Sequence, residues 1–472
     1  MKKMSFASCR WLLTFTFITY FFISCKKEIE NPEKKDDVSA SKAKNNQDHG
    51  KQTKHYSSEV AIKWMRVQSR IMQTTPLPIA GQISVDMAYA GLVLYESVVP
   101  GIPHYNSLGG QLTGLSALPE TIHGRDYHWA ASANAALAAT MRNLYPTTSA
   151  ANKASIDSLE LALNNVYKNE VKNETFERSV NFGKAIALAV YNWSLSDGTT
   201  SFCAPYVPLG VGYYEFYPSP SIVAVGPCWG SHRLFVPGSL NGSAPSFHPV
   251  YSTDPTSAYY LAEKEVYDVS QSLTPSEIAT ALYYRDAPGW GNGGAHYLKM
   301  LFQVLEIENP SLDKSAIAYV KTGIAVADAL IGCWQTKYQY NIDRPIRYIR
   351  EVLLHPTFTP QFGTPGHPDF PSGHSTGAGA VEIIFDNLFG ANYHFTNHAY
   401  DYLGMPPQVY TSWADMAQQI GHSRVLAGIH TTNACVEGRK QGNKIAQNIL
   451  NTLNFTKKDH DGDDNDDEED EN

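Results

Sequence analysis

FPSGHSTGAGA, residues 370–380, sets a serine, a glycine and a histidine behind a proline, at the head of a small-residue run that reads as the start of a helix. The first turn of a helix leaves backbone N–H groups without partners and carries the positive end of the macrodipole. Ser372, Gly373 and His374 therefore stand where an oxyanion is favoured, with glycine allowing close approach of the backbone. Two further stretches hold groups of the same kind. WQTKYQYNIDRP (334–345) brings Lys337 and, seven residues on, Arg344 before a proline; SRVLAGIH (423–430) brings Arg424 and, six residues on, His430. One compact ammonium charge and two planar guanidinium forks suit a tetrahedral anion of charge two or three. Two histidines are left for bonding the central atom and for moving protons.

Helical spacing of apolar residues dominates the chain around these stretches. It recurs near 58–74, 82–97, 125–145, 151–169, 176–194, 255–285, 295–308, 313–335, 374–389, 411–427 and 435–453, while alternating strand patterns are scarce. The sequence predicts a mostly α, bundle-type domain from about 57 to 456, interrupted by a long irregular insertion from about 199 to 254 that is rich in Gly, Pro and Tyr. At 472 residues the chain has room for one large domain or two to three smaller ones.

The ends read differently. Basic residues, an apolar run from Trp11 to Ile23 and the pair Ser24-Cys25 form a secretory signal (1–24) whose cysteine resembles a bacterial lipoprotein cleavage site. That predicts a chain anchored by lipid on Cys25 in the bacterial cell envelope, on its periplasmic side or surface; an uncleaved membrane anchor would also place the bulk outside the cytosol. Residues 25–56 have almost no apolar side chains and read as a disordered tether. Residues 457–472 read as an acidic disordered tail, since the glycine in DHDGDD is misplaced for an EF-hand loop. Ten of the 46 acidic residues lie there, so the remainder is close to neutral and no general nucleic-acid surface is implied. The six cysteines include no C-x-x-C pair; Cys203 and Cys228 either bridge the insertion between them or stay free thiols.

Taken together and in order, K-x6-RP, PSGH and SR-x5-H resemble the signature of the superfamily that joins vanadium-dependent haloperoxidases with acid phosphatases of the type-2 phosphatidic acid phosphatase class. GPCWGSHRLF (226–235) and YYRDAPGWGNGGAHY (283–297) resemble segments of its secreted bacterial haloperoxidase-like members. The resemblance implies an all-α helical-bundle fold with its superfamily core at about 313–455. It also implies a site for vanadate, or for phosphate in the same place. Lys337, Arg344, Ser372, Gly373 and Arg424 would hold the oxygens, His430 would be the apical ligand of vanadium, and His374 the acid–base residue. Lys337 would also polarise the bound oxidant. The activity implied is oxidation of halide by hydrogen peroxide to hypohalous acid, with Trp334 beside the halide, its indole N–H able to donate toward the anion, and His367 tuning halide choice and proton handling. The alternatives are a secreted acid phosphatase, with His430 as nucleophile toward a phosphomonoester and His374 as general acid, and a non-catalytic surface lipoprotein. One departure stands out. The pattern usually continues H-x3-D, but Ala434 occupies that position, leaving Asn433 or Glu437 as candidates to orient His430.

Overall fold

In a computed structural model of the protein, residues 51–76, 81–217, 223–286, 290 and 293–457 are described, and they belong to a single compact unit. The signal segment, Cys25, most of the tether and the acidic tail lie outside the described residues. The fold is helical, as the residue spacing predicts: α1 (Glu59–Thr74), α2 (Gln82–Glu96), α3 (Trp129–Leu144), α4 (Ala150–Tyr167), α5 (Asn173–Ser194), α6 (Ala258–Ser270), α7 (Pro275–Tyr283), α8 (Gly293–Glu308), α9 (Leu312–Tyr340), α10 (Pro345–Glu351), α11 (Gly373–Phe389), α12 (Trp413–Leu426) and α13 (Thr432–Thr452). Strand structure among the described residues is one small antiparallel pair, β1 (Phe395–Asn397) and β2 (Gln408–Tyr410), with Phe395 opposite Tyr410.

Helix boundaries follow local chemistry. Ser149, Thr274, Ser372, Ser412 and Thr431 each cap a helix by accepting a backbone N–H with the side-chain oxygen. The predicted segment 255–285 is two helices, because Thr274 and Glu277 form a capping box and Pro275 occupies the first helical position, which starts a new helix. The short α10 escaped the periodicity reading, since seven residues give barely two turns of signal. The fold also begins before 57. Thr53 and Tyr56 are buried, the Thr53 hydroxyl donates to the Val98 carbonyl, and the Leu312 N–H donates to the Tyr56 carbonyl.

α9 is the central helix. It is long and apolar enough to cross a membrane, yet its apolar window is almost wholly covered within the fold, where it packs on α2, α11 and α13. Its approach to α2 is close because both helices present glycine: a Cβ on Gly91 would lie 2.8 Å from the Tyr319 carbonyl oxygen, and one on Gly323 would lie 2.8 Å from the Ala88 Cα. The insertion at 199–254 is irregular, with a single 3-10 turn at Trp229–Ser231 among its described residues. Three ties hold it. Cys203 and Cys228 form a disulfide. The buried Asp328 of α9 accepts the N–H groups of Phe235 and Val236 at 2.7 and 3.0 Å. Trp334 Nε1 and Tyr338 Oη both donate to the Val225 carbonyl, at 3.2 and 2.8 Å.

Candidate active site

Four chain segments meet at one end of the α9–α11–α13 bundle. Lys337 lies in the last turn of α9, Arg344 caps α10, Ser372 and Gly373 open α11, Arg424 lies in the last turn of α12 and His430 in the turn that leads on to α13. In that turn Gly428 has φ of +75°, a conformation that favours glycine, and it folds the chain back between the two residues. The loop ahead of α11 is sewn to the rest: the Asp369 N–H donates to the Ile342 carbonyl at 3.0 Å and the Ser372 N–H to the Ala434 carbonyl at 2.9 Å.

His430 is the centre of the cluster. Its Nε2 lies 3.2 Å from Arg344 Nη1 and its Nδ1 lies 2.6 Å from Asp369 Oδ1, a short contact set off the ring N–H direction. Because the guanidinium can only donate, Nε2 must accept, which puts the ring proton on Nδ1 facing the carboxylate. Burial, reinforced by the charges of Arg344, Lys337 and Arg424, holds this imidazole well below its ordinary value, so it is neutral with its Nε2 lone pair turned to the cluster. Asp369 thus fills the orienting position that the sequence left to Asn433 or Glu437. Neither of those faces the histidine: Asn433 Nδ2 donates to the Phe247 carbonyl, and Glu437 accepts from Ser246 and Lys440. Asp369 lies only three residues before Ser372, in HPDFPSGH, and could have been found as the one acid beside that motif.

The other predicted oxyanion groups surround this pair. Arg344 Nε donates to the His367 carbonyl at 2.6 Å, and its Nη2 lies 2.9 Å from His367 Nδ1. Lys337 Nζ donates to the carbonyls of Pro368 and Asp369 at 2.8 and 2.9 Å, which leaves one of its three N–H groups for another acceptor. Lys337, Arg344 and Arg424 are all nearly inaccessible. Burial pushes the Lys337 ammonium down to about 7 and Arg424 down to about 10. Three buried basic groups thus stand near the buried carboxylates Asp369, Asp286 and Asp343. An anion there would hold Lys337 in its charged form, and a buried Arg424 Nε without a partner among the described residues also fits a bound oxyanion. Ser372 accepts from the Ser375 N–H, and a Cβ on Gly373 would meet the Trp334 ring at 3.0 Å, so a side chain at 373 would crowd the ring that walls the site.

His374 faces a partner that the sequence did not single out. Its Nε2 lies 2.8 Å from Asp286 Oδ2, and Asp286 Oδ1 accepts from the Tyr400 hydroxyl at 2.7 Å. Burial opposes the charge on Asp286, but contacts with His296 and His374 outweigh it and hold the carboxyl far below its usual range. Burial and Arg424 depress His374, partly countered by Asp286. With about a quarter of its side chain exposed, His374 is the histidine that can exchange protons with a ligand. Asp286 lies in YYRDAPGWGNGG, whose resemblance to relatives was visible but whose acid carried no spacing signal.

Of these groups, Asp286, Gly373, His374, Arg424 and His430 line a cavity of about 610 Å³ that also takes in Trp334 and His367. Trp334 stands against Trp229 and His367, with ring centroids 4.3 and 4.9 Å apart. Its indole N–H, expected to point at an anion, instead donates to the Val225 carbonyl, which the insertion brings onto it and which it shares with Tyr338; what Trp334 offers the cavity is its ring. His367 is held neutral by burial and by Arg344, which donates to it.

Residues 318–360 and 354–458 match the family described as the VCPO second helical-bundle domain. The fold is similar to the crystal structure of a bacterial vanadium-dependent iodoperoxidase, with a TM-score of 0.76, 27% identity and coverage of 86% of this chain and 98% of that one. It is also similar to holo- and apo-type crystal structures of bacterial vanadium-dependent chloroperoxidase. Their TM-scores are 0.62 and 0.59 at 15% and 14% identity, over 83% and 80% of this chain and 97% and 96% of theirs, a likeness of fold. None of the curated proteins compared with the chain matches it.

Proposed function

With the VCPO second helical-bundle domain in residues 318–458 and the fold of a bacterial vanadium haloperoxidase around it, the chain stands in the vanadium haloperoxidase and type-2 phosphatidic acid phosphatase superfamily; from that premise we propose that it oxidises halide with hydrogen peroxide, using vanadate. The observation that carries this reading is the His430 cluster: a buried neutral imidazole, oriented by Asp369, whose Nε2 faces a set of buried cations. Vanadate bound there would supply a Lewis acid that activates peroxide without changing oxidation state.

The chain's own part is positional and protonic. His430 Nε2 would hold the vanadate, with Asp369 beside its Nδ1 to orient the ring. Lys337, Arg344 and Arg424 neutralise the oxyanion, and the Ser372 hydroxyl with the head of α11 adds neutral donors. Lys337 keeps one N–H to polarise bound peroxide. His374, whose Nε2 is held by Asp286, takes and returns protons at Nδ1 as peroxide binds and hypohalous acid leaves. The Trp334 ring and His367 border the halide position. Attachment to the cell envelope through lipid on Cys25 belongs to the same proposal, and Cys25→Ala should release the protein from the membrane fraction.

The deciding assay is purification without metal, orthovanadate addition, and peroxide-dependent oxidation of iodide, then bromide and chloride. Iodide comes first because it is the halide named for the bacterial relative of 27% identity. Activity that appears only with vanadate and is lost in His430→Ala is the expected result. Phosphate release from a phosphomonoester, inhibited by vanadate and without halide oxidation, would replace this reading with the phosphatase one; neither activity would leave a non-catalytic protein.

A further inference from the structure

The cavity beside the oxyanion cluster is far larger than halide and peroxide require. A water molecule takes up about 30 Å³, so a space of about 610 Å³ has room for roughly twenty waters, and it falls within the span of about 300–1,000 Å³ usual for organic ligands. Its walls away from the cluster are apolar and aromatic, formed by Ile83, Val225, Trp229, Leu330 and Trp334. Such walls gain nothing from a small hydrated anion but favour a flat ring. At the same cavity Arg285 is exposed, lies 5.8 Å from the Phe362 ring centroid, and makes no ion pair among the described residues.

We propose that this cavity is a binding site for an electron-rich aromatic acid, a phenol or indole bearing a carboxylate, with its ring against the Trp229–Trp334 pair and its carboxylate at Arg285. The site rests on the reading above for its chemistry: halide, peroxide and one proton give hypohalous acid and water beside the bound ring. Ring π electrons then form the C–X bond as the O–X bond breaks, and the departing hydroxide takes the ring proton and leaves as water. Peroxide is the oxidant throughout, and the arene is halogenated where it is held.

The test begins with binding, which needs no turnover. 4-Hydroxybenzoate and phenol are titrated against the tryptophan fluorescence of the full chain, in saturating inorganic phosphate so that the oxyanion cluster is filled. Saturable binding of 4-hydroxybenzoate is expected, with about tenfold weaker affinity in Arg285→Ala, recovery in Arg285→Lys, and no effect of either change on phenol. Displacement by phosphate, or affinity indifferent to Arg285, would overturn the proposal. The second arm compares isomer ratios of halogenated indole-3-acetate made by the vanadate-loaded enzyme and by reagent hypohalous acid. A distinct ratio supports halogenation in the cavity, and identical ratios refute it. Oxidation of iodide to triiodide without any arene reports separately on the haloperoxidase reading. If that oxidation fails while the Arg285-dependent binding holds, the aromatic-acid site stands and only its assigned chemistry falls.

Discussion

At the scale of single residues, His430 and its two neighbours carry most of the chemistry. Asp369 faces His430 Nδ1, whereas Glu437 is turned to Ser246 and Lys440. Asp369→Asn should therefore weaken oxyanion binding by about 10–100-fold, the usual cost of losing a carboxylate behind a metal-bound histidine. Glu437→Gln should leave it within error, and competition between vanadate and phosphate in a thermal-shift titration measures both. Lys337 gives a pH signature. Its folded value of about 7 lies below the ordinary 10.5, so between those limits the unfolded chain binds more protons and the ligand-free protein gains stability as pH rises. Oxyanion binding wants the charged form, so protection by phosphate should be larger at pH 6 than at pH 9, and Lys337→Met should shrink that difference. A pH trend identical in the variant would remove Lys337 from the anion site. The cations, Ser372, Gly373 and both histidines were legible in three short stretches, because oxyanion sites demand those residue types at helix ends. The supporting acids Asp286 and Asp369 were not, since a carboxylate that acts through a histidine is placed by contact and not by spacing.

Among the elements, the seam between α11 and α13 sets the geometry of the site. A Cβ on Gly442 would lie 1.9 Å from the Thr376 carbonyl oxygen, one on Gly379 would lie 2.3 Å from that of Arg439, and one on Gly438 would lie 2.7 Å from that of Ser372. The three glycines let the helices approach so that the head of α13, just after His430, stands beside the head of α11. Overpacking a rigid seam costs about 1–3 kcal/mol and sometimes more, so Gly442→Val should lower the denaturation midpoint and also weaken oxyanion binding by shifting His430 against Ser372. Unchanged binding in a folded variant would show that the seam does not govern the site. Ten of the eleven helical segments read from apolar spacing correspond to single helices, and the eleventh divides where a capping box and Pro275 restart the chain. The small-residue run after His374 announced a helix, but that it announced a close seam depended on which helix lay opposite.

For the whole molecule, buried basic groups and an Arg424 Nε without a partner among the described residues make folding and anion binding linked events. A ligand at a hundred times its dissociation constant stabilises the native state by about 2.7 kcal/mol, so vanadate or phosphate should raise the melting temperature by a few degrees. Sulfate-free buffer without either anion should give the lowest value, and Arg424→Ala should abolish most of the rise. A melting temperature indifferent to both anions would mean that the cluster is neutralised from within. The sequence by itself determined the helical class, the position of nearly every helix and the chemical character of the site, because periodic burial and helix-end chemistry are local properties that a chain writes into adjacent residues. Only the tertiary structure decided that Asp369 stands behind His430 in place of the residue four positions on, that Asp286 backs His374, and that the insertion engages the indole N–H of Trp334 and walls a cavity large enough for an organic ring. Those are contacts between residues 61 to more than 100 positions apart, fixed by how helices pack and where a loop is tied down; no local pattern encodes them.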